Sequence, residues 1–263
     1  MALFAESGRR DFMSRLEAGA HLDGVTLDKV DVSHEDLSDI VLKNCVLEGA
    51  VFTGANLRGA KFIRCRILRP RFQHADLREA LFEECAFYDA ASQTGPAFTA
   101  CKLEDTRFVR CDMSHARIEG SELHGADFED CNFLGARFHH TSFARLFGRK
   151  VERVRARMAG CNFELAELAA IRLPGCELTR SRFRETDLFG ADLEGADLTG
   201  CDLFQAIVDD ARLAGADLRG AEVSGLDLRR LATYDGMKIS PDQQFKLLDA
   251  MGIDVDGEKA LEN

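Results

Sequence analysis

The chain contains no tryptophan, only two tyrosines and only four prolines in 263 residues, so its aromatic character rests on 19 phenylalanines. No apolar run is long enough to span a bilayer. Charged residues Glu6, Arg9, Arg10 and Asp11 stand where a signal peptide would carry its apolar region. A cytoplasmic chain without a membrane association is therefore expected. Positive charge is also short: 34 Lys and Arg face 45 Asp and Glu, a formal net charge of −11. That balance argues against direct nucleic-acid binding and points to basic partners, including a surface that itself contacts DNA. The nine cysteines form neither CxxC pairs nor a Cys/His cluster. There is no P-loop and no dinucleotide-binding glycine fingerprint. These absences leave no metal, cofactor or catalytic residue to assign, and the expectation is a protein that is not an enzyme.

What the chain does have is a period of five, audible in phrases such as "GANLRGAKF" and "FGADLEGADLTGCDL". With the apolar residue of each phrase as the centre i, one register runs from Leu22 to Phe87, a second from Phe98 to Phe143 and a third from Phe163 to Leu228. All 38 centres are apolar, although the 46% hydrophobic composition would place only about 17 there by chance. All nine Cys fall at i−2, as do Ala55, Ala60, Ala191, Ala196 and Ala216. Glycines such as Gly54, Gly59, Gly195 and Gly220 fall at i+2, and acidic or amide residues such as Asn56 and Asp127 favour i−1.

A period of five fits neither an α-helix nor a simple strand, so the chain must turn once per repeat. A square coil of four pentapeptides satisfies it, with i and i−2 inward and i−1, i+1 and i+2 outward. Glycine suits a corner that requires positive φ. Neighbouring coils about 4.8 Å apart would pair as parallel β-bridges, and some ten coils would give a rod roughly 50 Å long. In this register the cysteines fill a small buried slot as alanine does, which outweighs a redox or metal role. His139 and His140 lie at i+1 and i+2 beside Phe138 and read as solvated. The expected fold is all-β, a right-handed quadrilateral parallel β-helix with short terminal helices. Its expected parts are a cap over 1–19, the β-helix over 20–230 with breaks at 88–97 and 144–158, and a terminal helix and tail over 231–263.

Breaks in a solenoid are where specific function can project. From Phe87 to Phe98 the centres lie 11 apart instead of 10, and Gly95 and Pro96 mark a surface loop. Between Phe143 and Phe163 the spacing of 20 keeps phase, yet the expected centres include Gly148 and Arg153. That stretch, "ARLFGRKVERVRARM", holds Arg145, Arg149, Lys150, Arg153, Arg155 and Arg157 against Glu152. Phe147, Val151, Val154 and Met158 have helical spacing, so it reads as a short amphipathic helix, a projecting loop or one degenerate coil. At the ends, Phe12 and Leu16 lie four apart in a candidate helical cap over Asp11–Ala18. Near the C-terminus, Ser240, Pro241 and Asp242 open a helix that Gly252 would stop. Such a helix either caps its own coil or packs on a second copy.

The chain resembles the pentapeptide-repeat family, whose A(D/N)LXX pattern is nearly literal from Ala191 to Asp217. Its breaks are similar to those of the Qnr and MfpA branch, acidic rods thought to mimic duplex DNA and to bind type II topoisomerases. The segment "CAFYDAASQTGPAF" looks like the first loop of that branch, the basic break lies where a second, longer loop follows, and "GMKISPDQQFKLLDAMGI" is similar to a tail that joins two solenoids end to end. The resemblance implies partner-binding loops at Tyr88, Asp89, Ser92, Gln93 and Gly95 and at Arg145, Arg149, Lys150, Arg153 and Arg155. It implies an acidic, DNA-mimicking face of Asp187, Asp192, Asp197, Asp202, Asp217, Glu222 and Asp227, within a stretch, Glu185 to Asp227, of 11 acids and two bases. It further implies a homodimer through Met237, Ile239, Phe245, Leu248, Met251 and Ile253. The expected partner is DNA gyrase or topoisomerase IV, with protection against quinolones or similar poisons; a general protein-interaction scaffold is the alternative.

Overall fold

The computed structural model describes Phe12, Ser14, residues 21–147 and residues 151–254. Each pentapeptide forms one side of a square coil and each coil lies on the next. On the first face, parallel pairing carries i−1 positions from His21 through Val41, Lys61, Leu81, Arg107, Asp127, Arg157, Glu177, Asp197 and Asp217 to Lys238. The second face runs from Thr26 through Arg66, Asp112 and Arg182 to Glu222, and the third from Asp31 through Arg71, Arg117 and Asp187 to Ile207. The fourth holds Asp36 to Ser142 and, beyond the second break, Arg172 to Thr233. This is the expected four-sided parallel β-helix.

The register explains the interior. Every centre from Leu22 to Val223 is buried, and Leu228, the last, is half-buried. Phenylalanines repeat on the same face in successive coils, so their rings stack: Phe62 on Phe82 at 4.7 Å, Phe72 on Phe98 at 4.9 Å, Phe133 on Phe163 at 5.0 Å. Offset-stacked rings add to the stabilisation their burial already supplies.

The i−2 slot is small but not wholly apolar. The Thr106 hydroxyl donates to the Leu77 carbonyl at 2.7 Å, the Thr186 hydroxyl to Phe163 at 2.7 Å and the Ser181 hydroxyl to Met158 at 2.7 Å. Cysteine thiols repeat the contact, Cys65 to Leu42 at 3.3 Å and Cys131 to Phe108 at 3.3 Å. All nine cysteines are buried and free, and Cys45, Cys65, Cys85, Cys111, Cys131 and Cys161 stand one above another along one corner. Burial pushes the Cys101 and Cys201 thiols up to about 12 and Cys176 to about 11, so these thiols stay protonated at neutral pH.

Positive φ recurs at the i+2 corners whether or not glycine is present: Gly54 and Gly59 adopt it, but so do Asp39, Arg64 and Ala170. Glycine is thus the relaxed choice at a corner rather than a requirement.

At the N-terminal end, Phe12 is helical and fully buried; Asp11 and Leu16 lie outside the described residues. At the other end the stack continues past Arg230, since Thr233 and Lys238 still bridge to Arg212 and Asp217. A 3-10 turn, Pro241–Gln243, then leads into the helix Gln244–Ala250.

Candidate functional site

The first break spans one side of the square, not two. Phe87 lies on the second face and Phe98 on the next, so residues 89–94 are a six-residue insertion at the corner between them. Its ends are joined: Asp89 N donates to Thr94 O at 2.8 Å and Thr94 N to Asp89 O at 3.2 Å. The buried Asp89 carboxylate organises the loop, accepting from Ser92 Oγ at 2.7 Å and from Ala91 N at 3.1 Å. Those hydrogen bonds, with Ser92 first, hold its carboxyl below the usual range. Ser92 and Gln93 are exposed, and Tyr88 packs on the His115 ring at 5.5 Å. Gly95 is required for fit: a Cβ there would lie 2.2 Å from the Ser114 carbonyl. Asp89 and Gly95 therefore build the loop, while Ser92 and Gln93 present it.

The second break is neither a helix nor a degenerate coil. Ala144–Phe147 pairs antiparallel with Val151–Val154, forming a β-hairpin that leaves the rod at the corner between the fourth and first faces. The helical spacing of Phe147, Val151, Val154 and Met158 is thereby corrected: Met158 is a buried first-face centre stacked over Phe128. The two projections leave diagonally opposite corners. Gly148, Arg149 and Lys150 lie outside the described residues.

The hairpin arginines divide by partner. Arg155 turns back onto the rod and pairs with Asp105. Arg157 belongs to the first face, where it reaches Asp127 at 3.0 Å, Glu129 at 2.9 Å and Glu177 at 3.2 Å. Arg145 and Arg153 lie opposite each other, each 5.6 Å from the centre of the Phe147 ring, with no ion pair to a described residue. Phe147 is half exposed and Leu146 is 70% exposed.

The seven acids expected on one face are distributed over all sides of the rod. Asp197 and Asp217 are on the first face, Asp202 and Glu222 on the second, Asp187 on the third and Asp192 on the fourth, between Arg172 and Arg212. Their shared feature is local. Asp187 accepts from Phe189 N at 2.9 Å, Asp197 from Thr199 N at 3.0 Å, Asp227 from Arg229 N at 3.0 Å and Glu222 from Ser224 N at 2.8 Å. An i−1 carboxylate or amide thus closes the corner that follows it, which is why the repeat selects Asp and Asn there. Several are also neutralised, Asp217 by Arg219 at 2.7 Å and Asp202 by Arg184 at 3.2 Å. Glu185, Asp187, Asp197 and Asp210 have no ion pair to a described residue.

Of the residues expected to join two copies, Phe245 and Ile253 are exposed, Met237 and Ile239 are half-buried against the core, and Leu248 and Met251 are half-buried. The buried contacts fall on Leu247 and on Gln243. Gln243 was not singled out, although Ser240-x-x-Gln243 has the spacing of a capping box, which the structure forms.

A chain that turns one corner of a square every five residues is a pentapeptide-repeat solenoid. The protein belongs to the pentapeptide-repeat family: a profile described as Pentapeptide repeats (8 copies) matches residues 36–67, 161–200 and 196–230, and a second, Pentapeptide repeats (9 copies), matches residues 103–145. Among solved structures it is similar to full-length QnrB1, a plasmid-mediated fluoroquinolone resistance protein, with 26% identity and a TM-score of 0.69 over 89% of this chain and 100% of that one. A trypsin-treated QnrB1 variant matches with 28% identity and a TM-score of 0.63 over 89% of this chain and 97% of that one. No curated protein sequence matches the chain significantly.

Proposed function

We propose that the protein is a non-enzymatic, cytoplasmic partner of a type II topoisomerase, DNA gyrase or topoisomerase IV, which it protects against quinolones or similar poisons. The observation that carries this reading is the similarity, in sequence and in shape, to a fluoroquinolone resistance protein along essentially its whole length. The acidic stretch from Glu185 to Asp227, 11 acids against two bases, supports it: Glu185, Asp187, Asp197 and Asp210 have no ion pair to a described residue, and such net negative charge suits a surface that stands in for duplex phosphate. The exposed loop residues Ser92 and Gln93 and the guanidiniums of Arg145 and Arg153, which have no ion pair to a described residue, supply contacts beyond charge mimicry. Phe245 and Ile253, exposed at the rod end, are the proposed centre of an end-to-end homodimer.

A second reading, a general interaction scaffold, is favoured by the local role of the i−1 carboxylates, which any such repeat needs whatever it binds. Gyrase supercoiling with and without a fluoroquinolone separates the two. Rescue of supercoiling by the added protein is expected; indifference of the enzyme at every concentration would leave the scaffold reading.

A further inference from the structure

We infer that the notch beside the first loop is a binding site for a phosphate-type oxyanion. It measures about 210 Å³ and is walled on one side by Gln93 and Thr94 of the insertion and floored by His115, Arg117 and Arg137. No carboxylate lines it.

Three features mark it as built for an anion. First, Arg117 and Arg137 face each other in parallel register on the third face, the one parallel rung among the described residues that sets cation on cation. Like charges opposed in this way oppose pairing unless something neutralises them. Arg137 has Glu167 at 2.9 Å, but Arg117 has no ion pair to a described residue. Second, the His115 ring is fixed in the lining of the notch. Tyr88 packs on its ring, and Gly135 leaves room for it, since a Cβ at Gly135 would lie 2.8 Å from the imidazole Nδ1. Third, the insertion adds Gln93, whose side-chain amide is a neutral donor, to the lining, while the Thr94 hydroxyl is engaged with Ser92 Oγ at 2.6 Å. A tetrahedral oxyanion accepts from several directions at once and matches the guanidinium fork. This site is independent of the topoisomerase reading, because it asks only that the loop stand where it does.

The test is titration of the full chain with inorganic phosphate at constant ionic strength, following the Gly95 amide and the His115 ring by NMR. Saturable shifts are expected. Arg117→Gln, which points outward and leaves the corner untouched, should weaken them by about tenfold, the loss that removing one charge-assisted donor produces. Arg71→Gln, on the same face but outside the notch, should not. Shifts that never saturate, or that fall equally in both variants, would overturn the site in favour of diffuse attraction. Adenosine monophosphate as a parallel probe identifies the source: equal affinity assigns free phosphate, and markedly tighter binding assigns a phosphate carried on a nucleotide.

Discussion

Gln243 Nε2 donates to the main-chain carbonyl of Leu218 at 2.7 Å and to that of Ala221 at 2.7 Å, while its Oε1 accepts from Ser240 N. One buried amide thus partners the Ala221 carbonyl, which accepts from no main-chain N–H of the described residues, adds a second donor to the Leu218 carbonyl, which also accepts from Ala221 N at 3.0 Å, and at the same time starts the terminal helix. Open strand ends invite pairing with other chains, and this side chain covers the one at Ala221. Gln243→Ala strands the Ala221 carbonyl and leaves Leu218 with its main-chain donor alone, so we expect a loss of roughly 1–3 kcal/mol in denaturant unfolding. A loss below about 0.5 kcal/mol would show that solvent replaces the amide freely, as it does at an ordinary surface position.

Ala170 sits at a corner with φ of 57°. A left-handed conformation costs a non-glycine residue roughly 1–2 kcal/mol, and glycine returns about 0.5–1 kcal/mol of that as unfolded-state entropy. Ala170→Gly should therefore stabilise the rod by up to about 1 kcal/mol, read as a rise in melting temperature. A fall in melting temperature would mean that the Ala170 methyl group does more for packing than its backbone strain costs.

The i−2 slot tests the structural role of cysteine. Ser181 occupies a position equivalent to Cys161 and makes the same carbonyl contact, so Cys131→Ser should change stability by no more than about 1 kcal/mol. Cys131→Leu should cost more, because the slot between coils has no room for two further carbons. A thiol reagent applied to the native protein should find these cysteines silent until denaturant is added.

Most of this interior was legible in the sequence because its rules repeat: an apolar centre stands in all 38 repeats, a small i−2 residue in most of them, and an i−1 acid in 15. The breaks were legible only as far as arithmetic allows. An insertion of six residues shifts a five-residue phase by one and announces itself between Phe87 and Phe98. The hairpin adds ten residues between Phe143 and Met158, a multiple of five, so the phase survives and the length of the projection is hidden. Its strand character was hidden too, since Phe147, Val151 and Val154 satisfy a helical spacing as well as a hairpin. The acidic face misled for a different reason: consecutive i−1 positions are neighbours in sequence but lie on successive sides of the square.

Glu222 links the terminal helix to the rod through Lys246 at 2.6 Å. That contact and the hydrogen bonds from Ser224 hold its carboxyl at about 2. A carboxyl lowered on folding contributes stability above its unfolded value near 4.5, and that contribution is lost as pH falls toward 2. Glu222→Gln should therefore lower the melting temperature at pH 7 and converge with the parent protein near pH 2. A difference that persists unchanged at low pH would assign the effect to packing instead of charge. The pair is partly exposed, so the shift at pH 7 should be small and should shrink with salt.

Removing residues 146–155 brings Arg145 to the corner and Ala156 and Met158 to the i−2 and i positions that follow Phe143, restoring five-residue spacing across the cut. Arginine already occupies such corners at Arg64, Arg110 and Arg180, and Ala156 and Met158 are buried in the intact protein. The deleted rod should therefore keep its parallel pairing and melt within a few degrees of the parent. The same arithmetic holds for residues 89–94, whose removal delivers Gly95 to the corner and Pro96 to i−2. If the projections make the specific contacts proposed for a topoisomerase, both deletions should fold and both should lose protection against a fluoroquinolone, while the acidic rod still competes with DNA for the enzyme. Folded deletions that protect as well as the intact chain would place the activity on the rod alone.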